Sequence, residues 1–179
     1  MMETPKINRK ILTRGLPKTG QTSIYVAGDD GTYQAGWWQK RLNANNRSRF
    51  IMKTVAGDDI IIDRATGLWW VLDEACSINN NRNVLTWSAA VQYPTGRSYA
   101  GKSDWRLPNV QEIVSIINFD VYNPAIYGST FFLSNLSFWT STTSAINSLN
   151  AWFCDIASGD ISFATKLWEF PIYCCRGGI

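Results

Sequence analysis

The residues able to do covalent or acid–base chemistry in this 179-residue chain are few. Histidine is absent, which removes Ser–His–Asp and Cys–His nucleophile systems, histidine general bases and His-based zinc sites. Four thiols remain, Cys76, Cys154, Cys174 and Cys175, and no pair of them has Cys-x-x-Cys spacing. Adjacent Cys174 and Cys175 are poorly placed to bridge each other, so buried thiols are expected, with a Cys76–Cys174 cross-link left open. A thiol enzyme using Cys154 with Cys174 or Cys175 would need a depressed thiol pKa, and no sequence feature supplies one. There is no Walker-type loop and no Gly-x-Gly-x-x-Gly turn to cradle a phosphate. The expectation is a chain that is not an enzyme and holds no cofactor.

Carboxylates offer a second kind of chemistry. Ala-Gly-Asp-Asp occurs at 27–30 and again at 56–59. Each copy reads as a turn whose carboxylates could meet a cation, but neither continues with the ligand spacing of an EF-hand loop, and no metal is expected. Asp104-Trp105-Arg106 looks like a ligand cluster. It reads more simply as a core tryptophan flanked by two polar residues that hydrogen-bond backbone in the loop before a helix.

Charge is unevenly spread. Residues 1–53 hold ten Lys/Arg against three acids, net +7, and residues 54–179 hold seven against eleven, net −4, which recovers the overall +3. Basic residues beside aromatics at Trp37-Trp38-Gln39-Lys40-Arg41, with Arg47 and Arg49, have the composition of a nucleic-acid backbone contact. No recognition motif accompanies them, so the basic arm is expected to cover an acidic face of its own fold or of a neighbouring subunit, and nucleic acid is not expected as a partner. No apolar stretch approaches the roughly 20 residues of a membrane span, and the start is polar and basic with no signal-peptide core. Display on a virion or cell surface by a non-classical route, or a cytoplasmic location, is expected.

These groups must be positioned by an α+β arrangement. Strands are expected at 49–55, 59–63 and 68–72, where β-branched and aromatic residues lie between turns. Two helices follow. Thr86 is placed to cap 87–93, which Pro94 ends; Asn109 and Glu112 form a capping box ahead of an apolar stripe at Val110, Ile113, Val114 and Ile117. Short strands return at 138–141, 150–156, 161–165 and 170–176, with Ser158-Gly159-Asp160 as a hairpin turn. Strands, two helices, then strands imply two helices packed on antiparallel sheets, with N- and C-terminal strands paired. Residues 1–50 read as a basic arm packing on a domain of 51–179. Trp69, Trp87, Trp139 and Trp152 are core candidates.

Several segments then come in a fixed order: Thr66-Gly67-Leu68-Trp69-Trp70, Leu85-Thr86-Trp87-Ser88-Ala89-Ala90, Ser103-Asp104-Trp105-Arg106-Leu107-Pro108-Asn109 with Glu112, Trp139-Thr140-Ser141-Thr142-Thr143, Ala151-Trp152, Gly159, Lys166 and Cys174-Cys175-Arg176-Gly177-Gly178. This order, over roughly 60–178, resembles the C-terminal domain family named for the Legionella collagen-like protein. The resemblance implies a C-type-lectin-like fold related to formylglycine-generating-enzyme domains and used for binding. In some members it implies adhesion to polyanionic glycans. In others it implies a retroelement variable protein, in which error-prone copying at template adenines diversifies exposed residues near the C-terminus. A trimer is implied by the same analogy.

The candidate ligand contacts that follow are Asp155, Ser158, Asp160, Ser162, Phe163, Ala164, Leu167, Trp168, Phe170 and Tyr173. Five large apolar residues in so short a stretch should leave some exposed, and exposed aromatics favour binding surfaces. The calcium signatures Glu-Pro-Asn, Gln-Pro-Asp and Trp-Asn-Asp are missing, so recognition would rest on aromatics and hydrogen bonds. The expected function is a diversified surface for a protein or glycan receptor; the alternative is a fixed adhesin that holds polyanionic glycans through its basic N-terminal region.

Overall fold

The structure is a computed structural model that describes residues 16–36, 48–73, 77–127, 131 and 137–177. The basic stretch at 37–47, residues 1–15 and Cys76 lie outside these residues.

Strands β1 (Phe50–Val55), β2 (Asp58–Asp63) and β3 (Leu68–Val71) form an antiparallel meander. Ala56 and Gly57 link β1 to β2 with φ of 51° and 89°, the two left-handed residues of a tight hairpin turn. The last strand, β9 (Cys175–Gly177), returns to pair antiparallel with β3, giving the order β1-β2-β3-β9. A second sheet of three strands, β5 (Ser137–Thr143), β6 (Asn150–Asp155) and β7 (Ile161–Thr165), is a simple meander. A two-residue ladder joins β4 (Leu85–Thr86) to β8 (Glu169–Phe170). Helices α1 (Asp30–Tyr33), α2 (Trp87–Gln92) and α3 (Val110–Val114) are short, and a 3-10 turn spans Ser77–Arg82. Mixed helix and antiparallel sheet agrees with the α+β expectation. No helix among the described residues is long and apolar enough to cross a membrane.

Local chemistry explains the elements that matter. At α3 the Asn109 side chain accepts from Glu112 N at 2.9 Å, and Glu112 Oε2 accepts from Asn109 N at 2.8 Å, so two orphan amides are satisfied together. Thr86 makes no such cap; it is spent in the β4–β8 ladder, and Trp87 N donates instead to Lys166 O at 3.2 Å. The strand expected over 170–176 is broken between β8 and β9. Pro171 has no amide to give a ladder, and Cys174 N turns inward to Asn79 Oδ1 at 2.8 Å.

Between the layers lies an aromatic core. Trp70 stacks on Tyr173 at 5.6 Å, and Phe131 and Phe138 pack against the same tyrosine. The buried indole of Trp105 donates to Tyr99 O at 2.8 Å, and that of Trp139 to Leu85 O at 2.9 Å, so each ring is buried with its polar atom satisfied. Trp69, Trp87 and Trp152 are only half-buried, with Arg176 over the first ring, Lys166 over the second and Phe163 edge-on to the third.

One of the arm's expected cations is inside the molecule. Arg49 and Asp63, both without solvent exposure, form a bidentate pair at 2.9 and 2.8 Å, and Arg49 also donates to Ser115 O at 2.7 Å. Asp63 accepts from Ala65 N and Thr66 Oγ1 as well. The arrangement ties β1, the β2–β3 turn and α3 together, and loss of either partner would strand a buried charge at about 3–5 kcal/mol.

Candidate functional site

The ten candidate contacts divide along the β6–β7 hairpin. Asp155, Ser158 and Asp160 sit at its turn, Ser162, Phe163 and Ala164 along β7, and Leu167 and Trp168 in the bend after it. Five strand residues at about 3.3 Å each separate the turn from the bend by roughly 16 Å. They do not form one cluster.

At the turn, polar groups are consumed locally. Asp155 Oδ1 accepts from Ala157 N at 2.7 Å and Ser158 N at 3.2 Å, and Gly159 N donates to Asp155 O at 2.8 Å. Gly159 has φ of 80°, and a Cβ there would lie 3.1 Å from both Ala125 and Ile117. Ser158 and Asp160 are exposed, and Asp155 is half-buried with its Oδ1 engaged in forming the turn.

Tyr173 and Ala164 are also removed from the surface. Tyr173 has no exposure and donates from its hydroxyl to Val71 O at 2.6 Å. Ala164 is buried opposite Ala151 in the β6–β7 register. Phe170 is half-buried among Trp139, Phe153 and Trp168, with ring separations of 4.7, 4.9 and 6.2 Å. It supports Trp168 from behind.

The bend end is different in kind. Leu167 is 82% exposed and Trp168 57%. The bend is fixed by Trp168 N donating to Thr165 O at 3.0 Å, while Lys166 N donates to Leu149 O at 2.9 Å and brings the β5–β6 loop alongside. That loop exposes Ile146 and Leu149, two residues the sequence reading did not select. Its backbone is held by Ser144 N to Asn150 O at 3.0 Å and Leu149 N to Asn147 Oδ1 at 2.9 Å. The available signal was Ile146 and Leu149 standing among turn formers, where a loop has no core to bury them in. Lys166 does not add a free charge: its ammonium lies 3.9 Å from the Trp87 ring centroid and donates to Thr143 Oγ1 at 2.9 Å. Phe163, edge-on to Trp152 at 5.5 Å, and Ser162 are exposed between the two ends.

The other chemically suggestive groups have structural partners. Asp104 is held by Arg176 at 2.7 and 3.0 Å, rather than bonding loop backbone alone, and that hydrogen bond pulls its carboxyl below the ordinary aspartate range. Arg176 in turn lies 4.5 Å over Trp69. Arg106 forms a fork on Glu112, 2.7 Å on both arms, and also donates to Gly177 O. In the first Ala-Gly-Asp-Asp turn, Asp29 accepts from the amides of Tyr25, Val26 and Thr32; in the second, Asp58 accepts from Ala100 N. Both read as loop organisers rather than cation ligands. Among the described residues, no three His, Cys, Asp or Glu gather in a metal-holding group. Burial pushes the Cys154 thiol up to about 12, with Asp155 and Asp160 adding to the shift, and burial also raises Cys175. These are the opposite of an activated nucleophile.

The family model of the Lcl C-terminal domain matches residues 59–176, and the chain belongs to that family. No curated protein matches the chain.

Proposed function

From membership in the Lcl C-terminal domain family we propose that this chain is a non-enzymatic binding protein with a C-type-lectin-like fold. Its contact surface is the bend end of the three-stranded sheet, where Ile146 and Leu149 of one loop lie beside Leu167 and Trp168 of the bend. The observation that carries the reading is the pairing of exposed apolar side chains with a backbone that does not depend on them. Leu167 and Trp168 project from a bend held by main-chain bonds to Thr165, Leu149 and Trp87. Such positions accept many side chains without cost to the fold, which is what a diversified recognition surface requires.

The ligand class follows from the charge. Lys166, the cation of the bend, is spent on Trp87 and Thr143, while Ile146, Leu149, Leu167 and Trp168 are exposed. An apolar patch of this kind suits a protein receptor better than a sulfated glycan, which would need unpaired Lys and Arg. Retroelement diversification of this surface is part of the proposal. Sequencing the encoding locus across many clones of one population tests it. Substitutions concentrated at Ile146, Leu149, Leu167 and Trp168, with Asp155, Ala164, Phe170 and Tyr173 constant, are expected. A uniform locus would leave a fixed-specificity binder, and salt-sensitive attachment to heparin would move the ligand to a polyanionic glycan.

A further inference from the structure

A groove of about 710 Å³ runs between the N-terminal arm, the β2–β3 turn and α3, and shares no residue with the bend surface. Its volume falls within the ~300–1,000 Å³ of small-molecule sites. Main-chain contacts set the course of the arm along it. Phe119 N donates to Thr19 O at 2.9 Å. Gly36 lets a second stretch of backbone touch the arm, since a Cβ there would lie 3.0 Å from Leu16 O and 3.1 Å from Lys18 N. A wall fixed by backbone is the preorganisation that a binding site needs.

The lining sorts by chemistry. Ala65, Leu68 and Ile117 are its buried apolar residues, and Leu16 and Phe119 are exposed at its rim. Most polar groups along the walls are already engaged. Thr19 Oγ1 donates to Asp30, Thr66 Oγ1 to Asp63 at 2.7 Å, and Ser115 Oγ to Glu112 O at 2.7 Å. Glu112, the one carboxylate among the described lining residues, is forked by the cationic Arg106 and accepts from Asn109 N. Asn109 Oδ1 is taken by Glu112 N. What remains is a set of donors: the side-chain NH2 groups of Asn109 and Gln111, both at exposed positions, and the Lys18 ammonium, which has no carboxylate partner among the described residues.

We propose that this groove binds a small amphiphilic anion of the fatty-acid class, an apolar body carrying one acid group. The apolar base supplies affinity through buried methylenes. The leftover charge decides the head group, because Lys18 is positive and the negative charge of Glu112 is offset by Arg106. A cationic head would meet the Lys18 ammonium, and a polyol would find few unengaged partners. An acid group accepts from Lys18 and the amide donors together. The groove and the bend share no residue, so either site can fail without the other.

Fluorescence titration of the full chain with 8-anilinonaphthalene-1-sulfonate and its uncharged twin N-phenyl-1-naphthylamine tests the site. Both probes should brighten, and dodecanoate should displace both at about 10–100 µM. Displacement should weaken about threefold for each methylene removed toward octanoate. Lys18→Met should weaken the sulfonate probe and dodecanoate about fivefold and leave the uncharged probe unchanged, while Lys18→Arg restores anion binding. Leu167→Ser and Trp168→Ser should change nothing. Lys18 and both bend residues are at least partly exposed, and unchanged thermal melts establish that the variants fold. No displacement by dodecanoate at about 1 mM, equal loss of both probes in Lys18→Met, or loss in the bend variants instead would each overturn the proposal. So would binding to phosphatidylglycerol vesicles without displacement by dodecanoate, which would assign the charge to a membrane surface.

Discussion

The two ends of the β6–β7 hairpin are made of the same two strands and have opposite relations to the rest of the molecule. At the turn, Asp155 closes the backbone on itself and Gly159 presses against Ala125 and Ile117 with no room for a side chain. At the bend, the main chain is also bonded, yet Leu167 and Trp168 are largely exposed, Trp168 resting edge-on against Phe170. Backbone order is therefore common to both ends, and what differs is whether side chains or only main-chain atoms secure the contact. An end secured by side chains cannot change its sequence freely. An end secured by main-chain bonds can.

Substitutions should separate the two ends by energy. The largest effect is expected from Gly159→Ala, which combines a left-handed φ, costing about 1–2 kcal/mol, with two 3.1 Å contacts; urea unfolding should show a loss of roughly 2–4 kcal/mol. A loss below about 1 kcal/mol would mean that the turn end is not packed as tightly as Ala125 and Ile117 imply. Asp155→Ala removes the acceptor of two amides and should cost about 1–2 kcal/mol in the same measurement. The smallest change in stability belongs to Leu167→Ser combined with Trp168→Ser, expected within about 0.5 kcal/mol per site. For the proposed binding function the expected order reverses: that double variant should lose capture of a protein partner bound by the unaltered chain, while Asp155→Ala should retain it. Equal losses of binding in both would erase the distinction between the ends.

The features legible in the sequence were those set by neighbours along the chain. Asn109 and Glu112 announce α3 because both halves of the capping box lie within four residues. The 158–160 turn and strands β1 to β3 follow from turn formers between β-branched runs. What escaped was decided by covering layers. Ser162 and Ala164 share a face of β7, yet one is exposed and the other buried, because the cover ends between them; alternation reports which residues share a face and is silent on how far another layer reaches. Tyr173 was expected on a strand surface, but Pro171 breaks that strand and lets the ring turn onto Trp70. Asp104 was assigned to its own loop because Arg176, its partner, is 72 positions away.

The closure of β9 on β3 has a consequence for how the chain reaches this structure. The Tyr173 hydroxyl and Val71 are 102 positions apart, and the strand that follows Tyr173 completes the first sheet. Until residues 175–177 arrive, the meander of β1, β2 and β3 offers an unpaired edge bearing Trp69 and Trp70. Contacts of such long sequence separation form slowly, and an open apolar edge recruits foreign strands while it waits. Refolding should therefore be limited by this docking step, and deletion of residues 175–177 would leave a sticky half-sheet in place of a finished domain.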